Sequence, residues 1–262
     1  MTNPFQRKFL LTFALSLGSS LAVLAQNDLK LWYDKPASNW NEALPIGNGR
    51  LAAMVFGNPS KELIQLNEET VWAGEPGNNV VEGLYPAITE MRSLIFQGKY
   101  KDAQELGLSK IPRQAAKDNN YGMQYQPVGN LFLSFPGHEN ADSYYRDLDI
   151  QNAVASVSYK VDGVTFRREV LASFPDDVIV VRLTADKARK INFHAVMNSP
   201  HKSWEASRKD GMMSLTGVSS SVDNKTGRVK FNALVHVKSE GGQSTFSKDT
   251  MKISGANSAT LY

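Results

Sequence analysis

Past Gly129 the apolar residues fall on every second position, and that period rules out a helical architecture for the C-terminal half of the chain. Leu131, Leu133 and Phe135 alternate, and Val154 to Val161 alternates into Asp162-Gly163, a dipeptide suited to the left-handed backbone of a two-residue hairpin. Val164 to Leu171 returns from it. Pro175-Asp176-Asp177 is a further turn, followed by a near-continuous β-branched run from Val178 to Leu183. Ile191, Phe193 and Ala195 alternate, as do Phe231, Ala233, Val235 and Val237. Short strands at intervals of about 8–12 residues predict a mainly β fold, a large antiparallel β-sandwich of two packed sheets.

The first half is less regular. Leu29 to Phe56 reads as strand, loop, strand, with Pro45-Ile46-Gly47-Asn48-Gly49 as its turn. Leu51 to Phe56 suits a buried strand leaving through Gly57-Asn58-Pro59, and Leu63 to Leu66 is another strand. One or two short helices are expected near residues 86–109: Pro86 suits a first turn, Ile88, Met91 and Ile95 keep helical spacing, and Gly98 suits a stop. A second helix from Tyr100 to about Ser109 would bury Ala103 and Leu106; Arg113 to Tyr121 reads as a loop. At the far end, Ile253 to Tyr262 reads as a strand, a turn and the opening of another strand, so a longer protein is expected.

Residues 1–25 form a polar start ending in Arg7 and Lys8, an apolar run from Phe9 to Leu24, and a small-residue site at Val23-Leu24-Ala25, the pattern of a secretory signal peptide. The mature chain is then one domain, residues 26–262, exported to the periplasm or the extracellular space, with no membrane segment after cleavage. Lys plus Arg number 29 against 26 for Asp plus Glu, and two of the cations lie in the leader. The near-neutral remainder argues against a nucleic-acid partner. Cysteine is absent, which excludes disulfides, thiolate metal sites and a thiol nucleophile.

His138, His194, His201 and His236 keep no metal-ligand spacing and read as surface or strand residues, no run of alternating Asp and Asn marks a calcium loop, and no cofactor is expected. The glycine-flanked serine of a nucleophile elbow is missing. Gly47-Asn48-Gly49-Arg50 lacks the third glycine and lysine of a phosphate cradle, and its glycines read as allowing positive φ in a tight turn. Two segments combine side chains able to grip a sugar: Trp40, Glu42, Asn48 and Arg50 around the glycine turn, and Asn67, Glu68, Glu69 and Trp72 before Gly74. Indole faces stack on a pyranose while amides and carboxylates bond its hydroxyls. The same residues suit packing of the indoles and local capping of turns. Glu68 and Glu69 are adjacent, so on a strand they point to opposite faces and do not form a hydrolytic pair.

Leu31-Trp32-Tyr33-Asp34-Lys35-Pro36-Ala37, then Trp40 through Glu42 to Leu51, then Met54-Val55-Phe56-Gly57 resemble the opening of glycoside hydrolase family 95, whose best-known activity is α-L-fucosidase. Ile64 to Gly74, Tyr125 to Leu131, Tyr145 to Asp149 and Arg168 to Asp176 continue the resemblance in order, and it covers residues 29–262. The resemblance implies a super-sandwich N-terminal domain, followed in such enzymes by a helical linker and a catalytic (α/α)6 barrel that this chain lacks. It implies inverting hydrolysis of fucosyl or L-galactosyl residues of a glycan, with the acid and water-holding groups in the barrel, so no residue here is assigned as catalytic. Trp40, Glu42, Asn48, Arg50, Asn67, Glu68 and Trp72 are the expected substrate-binding rim, with the missing barrel as their partner. Ala53 and Ala73 depart from the glycine or serine expected in many members. A free-standing carbohydrate-binding sandwich and a purely structural one are the alternatives.

Overall fold

The computed structural model describes residues 29–74, 83–110, 123–222 and 225–262. The leader and the segment read as a loop after Arg113 lie outside the described residues. Strands β1 (Lys30–Tyr33), β2 (Leu44–Gly47), β3 (Leu51–Val55) and β4 (Lys61–Glu68) come first, then two helices, α1 (Leu84–Phe96) and α2 (Tyr100–Lys110). After them run β5 (Gly129–Ser134), β6 (Asp142–Asp149), β7 (Val154–Val161), β8 (Val164–Ser173), β9 (Val178–Ala185) and β10 (Ile191–Asn198). The chain ends in β11 (Ser203–Lys209), β12 (Met212–Val218), β13 (Lys230–Val235), β14 (Val237–Glu240), β15 (Gln243–Ser247), β16 (Thr250–Ala256) and β17 (Ser258–Leu261).

Two seven-stranded sheets stack face to face, in the orders β1-β6-β7-β8-β9-β17-β14 and β15-β16-β10-β5-β4-β3-β2, and every pairing is antiparallel. The expected large β-sandwich is therefore the fold. A three-stranded sheet, β11-β12-β13, adds to the two expected layers. Asp162 and Gly163 both take positive φ between β7 and β8, as the hairpin dipeptide predicts. Asp210 and Gly211 do the same between β11 and β12.

The alternation drawn through Phe231 and Val237 is not one strand. It breaks at His236, so β13 lies in the small sheet and β14 at the edge of the first large one. Residues around Ile253 to Leu261 also change sheets, because β16 and β17 are joined only through Asn257 and belong to opposite layers. β17 is no exposed edge: it pairs with β9 on one side and β14 on the other.

The inward faces meet in one core that includes Ile64, Leu133, Phe193 and Ile253 from the second sheet and Tyr159, Phe166, Val181 and Leu183 from the first. Each such side chain contributes roughly 1.5–3 kcal/mol by leaving water. Into this core the sandwich also seals an ion pair, Glu62 with Arg168, whose side chains are 1% and 2% exposed. Glu62 accepts from the N–H of Gly57 (2.7 Å), and Arg168 donates to the carbonyls of Asn58 and Pro59 and to the Tyr159 hydroxyl. Arg146, also buried, donates to the carbonyls of Lys35 and Glu42. These two arginines of the first sheet tie down the connections that flank β2 and β3 of the second. His138 and His201 are buried rather than superficial, because each finds partners inside: His138 the Tyr159 hydroxyl (2.9 Å), and His201 the Pro127 carbonyl and the Ser220 hydroxyl.

Candidate functional site

The turn between β2 and β3 is built on Asn48. Its Oδ1 accepts from the N–H groups of Arg50 (3.0 Å) and Leu51 (2.7 Å), closing the turn from within. Its Nδ2 donates to the Ser173 carbonyl (2.9 Å) and to Asp177 (3.2 Å), which pins the turn to the β8–β9 connection. Of the two glycines, only Gly49 uses a positive φ, of 96°. Gly47 is ordinary strand.

Arg50 leaves this turn to bridge two carboxylates, Glu68 through Nε (3.2 Å) and Asp177 through Nη1. The bond to Glu68, with Asp177 beside it, raises the guanidinium above its ordinary range. Partial burial works to raise the Glu68 carboxyl, but the Thr70 hydroxyl, the Thr70 N–H and Arg50 outweigh it and hold that carboxyl below its usual value. Asn48, Arg50, Glu68 and Asp177 are therefore bonded to one another and to the backbone and Thr70 around them. They form a braced rim, with the Arg50 guanidinium held between two carboxylates.

The rim borders a cavity of about 410 Å³ at one end of the sandwich. Arg50, Asn67, Glu68 and Thr70 stand at its polar side with Asp177, while Ile64, Leu66, Leu131, Ile179, Val181 and Leu261 supply an apolar interior. Among the described residues the Asn67 side chain has no hydrogen-bond partner, which leaves its amide available.

Trp72 sits beside the rim. Its indole N–H donates to the Glu69 carbonyl (2.7 Å), and its ring meets Tyr125 edge-on at 5.1 Å. The Tyr125 hydroxyl donates to the Glu68 carbonyl, and burial, with the charges of Glu68 and Glu69, pushes that phenol up. Trp40 and Glu42 do not line the cavity. They belong to a 3-10 turn over Trp40–Glu42, where Glu42 accepts from the N–H and hydroxyl of Ser38 and from the Asn39 amide. The Ser38 N–H above all lowers the Glu42 carboxyl, so this residue caps a turn as well.

Trp40 is 57% exposed and Trp72 40%, so neither indole is core packing. The structure thus brings Asn48, Arg50, Asn67 and Glu68 together, keeps Trp72 adjacent, and sets Trp40 and Glu42 on a separate turn. Sequence reasoning missed Asp177, Thr70 and Tyr125. Asp177 was visible only as part of a turn, because its partnership with Arg50 spans most of the domain.

Two stacked antiparallel sheets with a braced polar rim beside a cavity define the class: a β-sandwich domain. The chain belongs to the glycosyl hydrolase family 65 N-terminal domain family, whose model matches residues 31–262. It is 36% identical over 195 residues to alpha-L-fucosidase 2 of Arabidopsis thaliana, covering 72% of this chain and 22% of that protein. It is 32% identical over 168 residues to a probable alpha-fucosidase A of Aspergillus niger, covering 60% of this chain and 20% of the relative. A probable alpha-fucosidase A of Aspergillus oryzae is 26% identical over 215 residues, covering 76% and 28%. The chain thus spans between 20% and 28% of the length of the curated relatives it matches. A glycoside hydrolase N-terminal domain, expected from the resemblance, is what the chain is.

Proposed function

We propose that this chain is the scaffold domain of an exported, inverting glycoside hydrolase of the family 95 kind that removes terminal α-L-fucosyl or related L-galactosyl residues from glycans. The observation that carries the reading is the alignment with proteins named alpha-fucosidases across most of this chain but a minor share of theirs. In this reading the acid and the water-holding groups lie in a barrel outside residues 1–262, and the chain by itself turns over no substrate. The rim from Asn48 to Arg50 and from Asn67 to Trp72 faces that barrel's mouth. Arg50, Glu68 and Asp177 hold the wall rigid, and the Asn67 amide and the Trp72 face remain for sugar hydroxyls and a pyranose face.

Trp40 is a weaker member of the rim, since it stands on a different turn. The test is kinetic, in the full-length gene product: Asn67→Ala and Trp72→Ala raise KM for an aryl α-L-fucoside, or lower kcat, and Asn67→Ala does so without changing thermal stability. Normal kinetics in both variants removes the rim, and absence of fucose release by the intact protein removes the activity. Export is tested separately: N-terminal sequencing of the secreted protein should begin near Gln26.

A further inference from the structure

The cavity at the end of the sandwich has two walls of unpaired backbone. β9 pairs along its full length with β8, but on its other side β17 reaches only from Thr184 to Val181. Val178 and Ile179 have no partner there among the described residues. β13 pairs only with β12, and its other edge is unpaired among the described residues. All six residues of β13, Val178 and Ile179 of β9, and Leu261 and Tyr262 line the same cavity.

The register shows what shape is missing. Leu261 lies opposite Val181 on one side and Val237 on the other, and Tyr262 exchanges both backbone bonds with His236, each 2.9 Å. Continued by one residue, the line of β17 falls between Ile179 and Val235; continued by two, between Val178 and Leu234. Antiparallel pairs alternate between bonded and non-bonded. Because Tyr262 bonds towards His236, the backbone groups that open into the slot are those of Ile179 on β9 and of Leu234 and Asn232 on β13. The side-chain phase agrees. Ala259 and Leu261 are buried, and Ile179, Phe231, Ala233 and Val235 pack against the same core, whereas Leu234 is exposed.

We propose that this slot seats one further β-strand, running on from β17, antiparallel to both β9 and β13 and carrying apolar side chains at every second position in phase with Ala259 and Leu261. The strand would join β13 to the first large sheet and fill the cavity with its inward side chains. The share of the relatives' length that this chain spans leaves ample polypeptide to supply it. The inference rests on register and cavity, independently of the activity proposed above.

Two extended chains test it, one with Val-Thr-Val-Thr-Val-Thr added after Tyr262 and one with Thr-Val-Thr-Val-Thr-Val, which has the same composition but puts threonine in the core phase. Hydrogen exchange at the amides of Ile179, Asn232 and Leu234 is read in both and in the chain without an extension. The in-phase extension slows these amides at least tenfold, and the out-of-phase one does not. Equal protection by both, or by neither, overturns the proposal. So does prior protection of the same amides in a dimer of the unextended chain, which would make a second copy the occupant.

Discussion

Replacing Arg168 by Met strips the charge partner from Glu62 while leaving most of the side-chain volume in place. Glu62 is wholly buried, and burial pushes its carboxyl up against the opposing pull of Arg168 and the Gly57 N–H. At neutral pH the variant must keep an uncompensated carboxylate or protonate it. Removing one partner of a buried pair costs about 3–5 kcal/mol. Arg168→Met also takes the donors from the carbonyls of Asn58 and Pro59, so the upper end is expected. In a domain of this size each kcal/mol moves the thermal midpoint by about 2–4 °C, so the fall is roughly 6–20 °C. Glu62→Leu alone leaves a buried guanidinium and costs a comparable amount. The double variant removes both charges of this pair and loses less than the sum of the singles, with a coupling of about 0.5–3 kcal/mol. Urea unfolding followed by tryptophan fluorescence and far-UV circular dichroism measures all four proteins. Losses that add within about 0.5 kcal/mol, or a single Arg168→Met cost under about 1 kcal/mol, would refute the view that the pair acts as one sealed unit.

Other outcomes follow from single sites. Burial lowers the His138 imidazole below 6.5, with Arg168 adding to the effect. Its contribution is therefore complete above pH 6.5 and is lost as pH falls to the folded value, so the thermal midpoint should slope downward over that interval, and the slope should disappear in His138→Phe. Gly57→Ala places a Cβ 2.7 Å from the Tyr144 hydroxyl at a φ of 81°, and should cost more than about 1 kcal/mol in chemical denaturation. Asn48→Ala leaves the N–H of Leu51 unsatisfied and should cost about 1–3 kcal/mol, whereas Asn67→Ala, with no side-chain bond to lose, should stay within about 0.5 kcal/mol.

The period-two pattern made the sandwich legible, because strands with one face in a core must alternate. Asp162-Gly163 announced its hairpin for the same reason, flanked by Val161 and Val164. Asp210-Gly211 carries the same signal, but Ser203–Lys209 before it is largely polar and its strand buries little, so the third sheet went unread. The break at His236 was hidden because alternation continues in phase across it.

Glu62 and Arg168 were decipherable in principle. Arg168 shares parity with Phe166 and Val170, and Glu62 with Ile64 and Leu66, which marks both as inward-facing. At the rim, the glycine turn and the Glu68 segment stood out by composition. That Arg50 would bind Glu68 and Asp177 could not be read, since cross-strand and cross-sheet partners depend on register.

The most direct test of the central claim is an assay of the purified 262-residue chain on an aryl α-L-fucoside, alongside the full-length gene product. The account predicts fucose release by the full-length protein and none by the shorter chain above the uncatalysed rate. Release by the shorter chain, abolished by Glu68→Gln or Asp177→Asn, would place the chemistry inside the sandwich and contradict it.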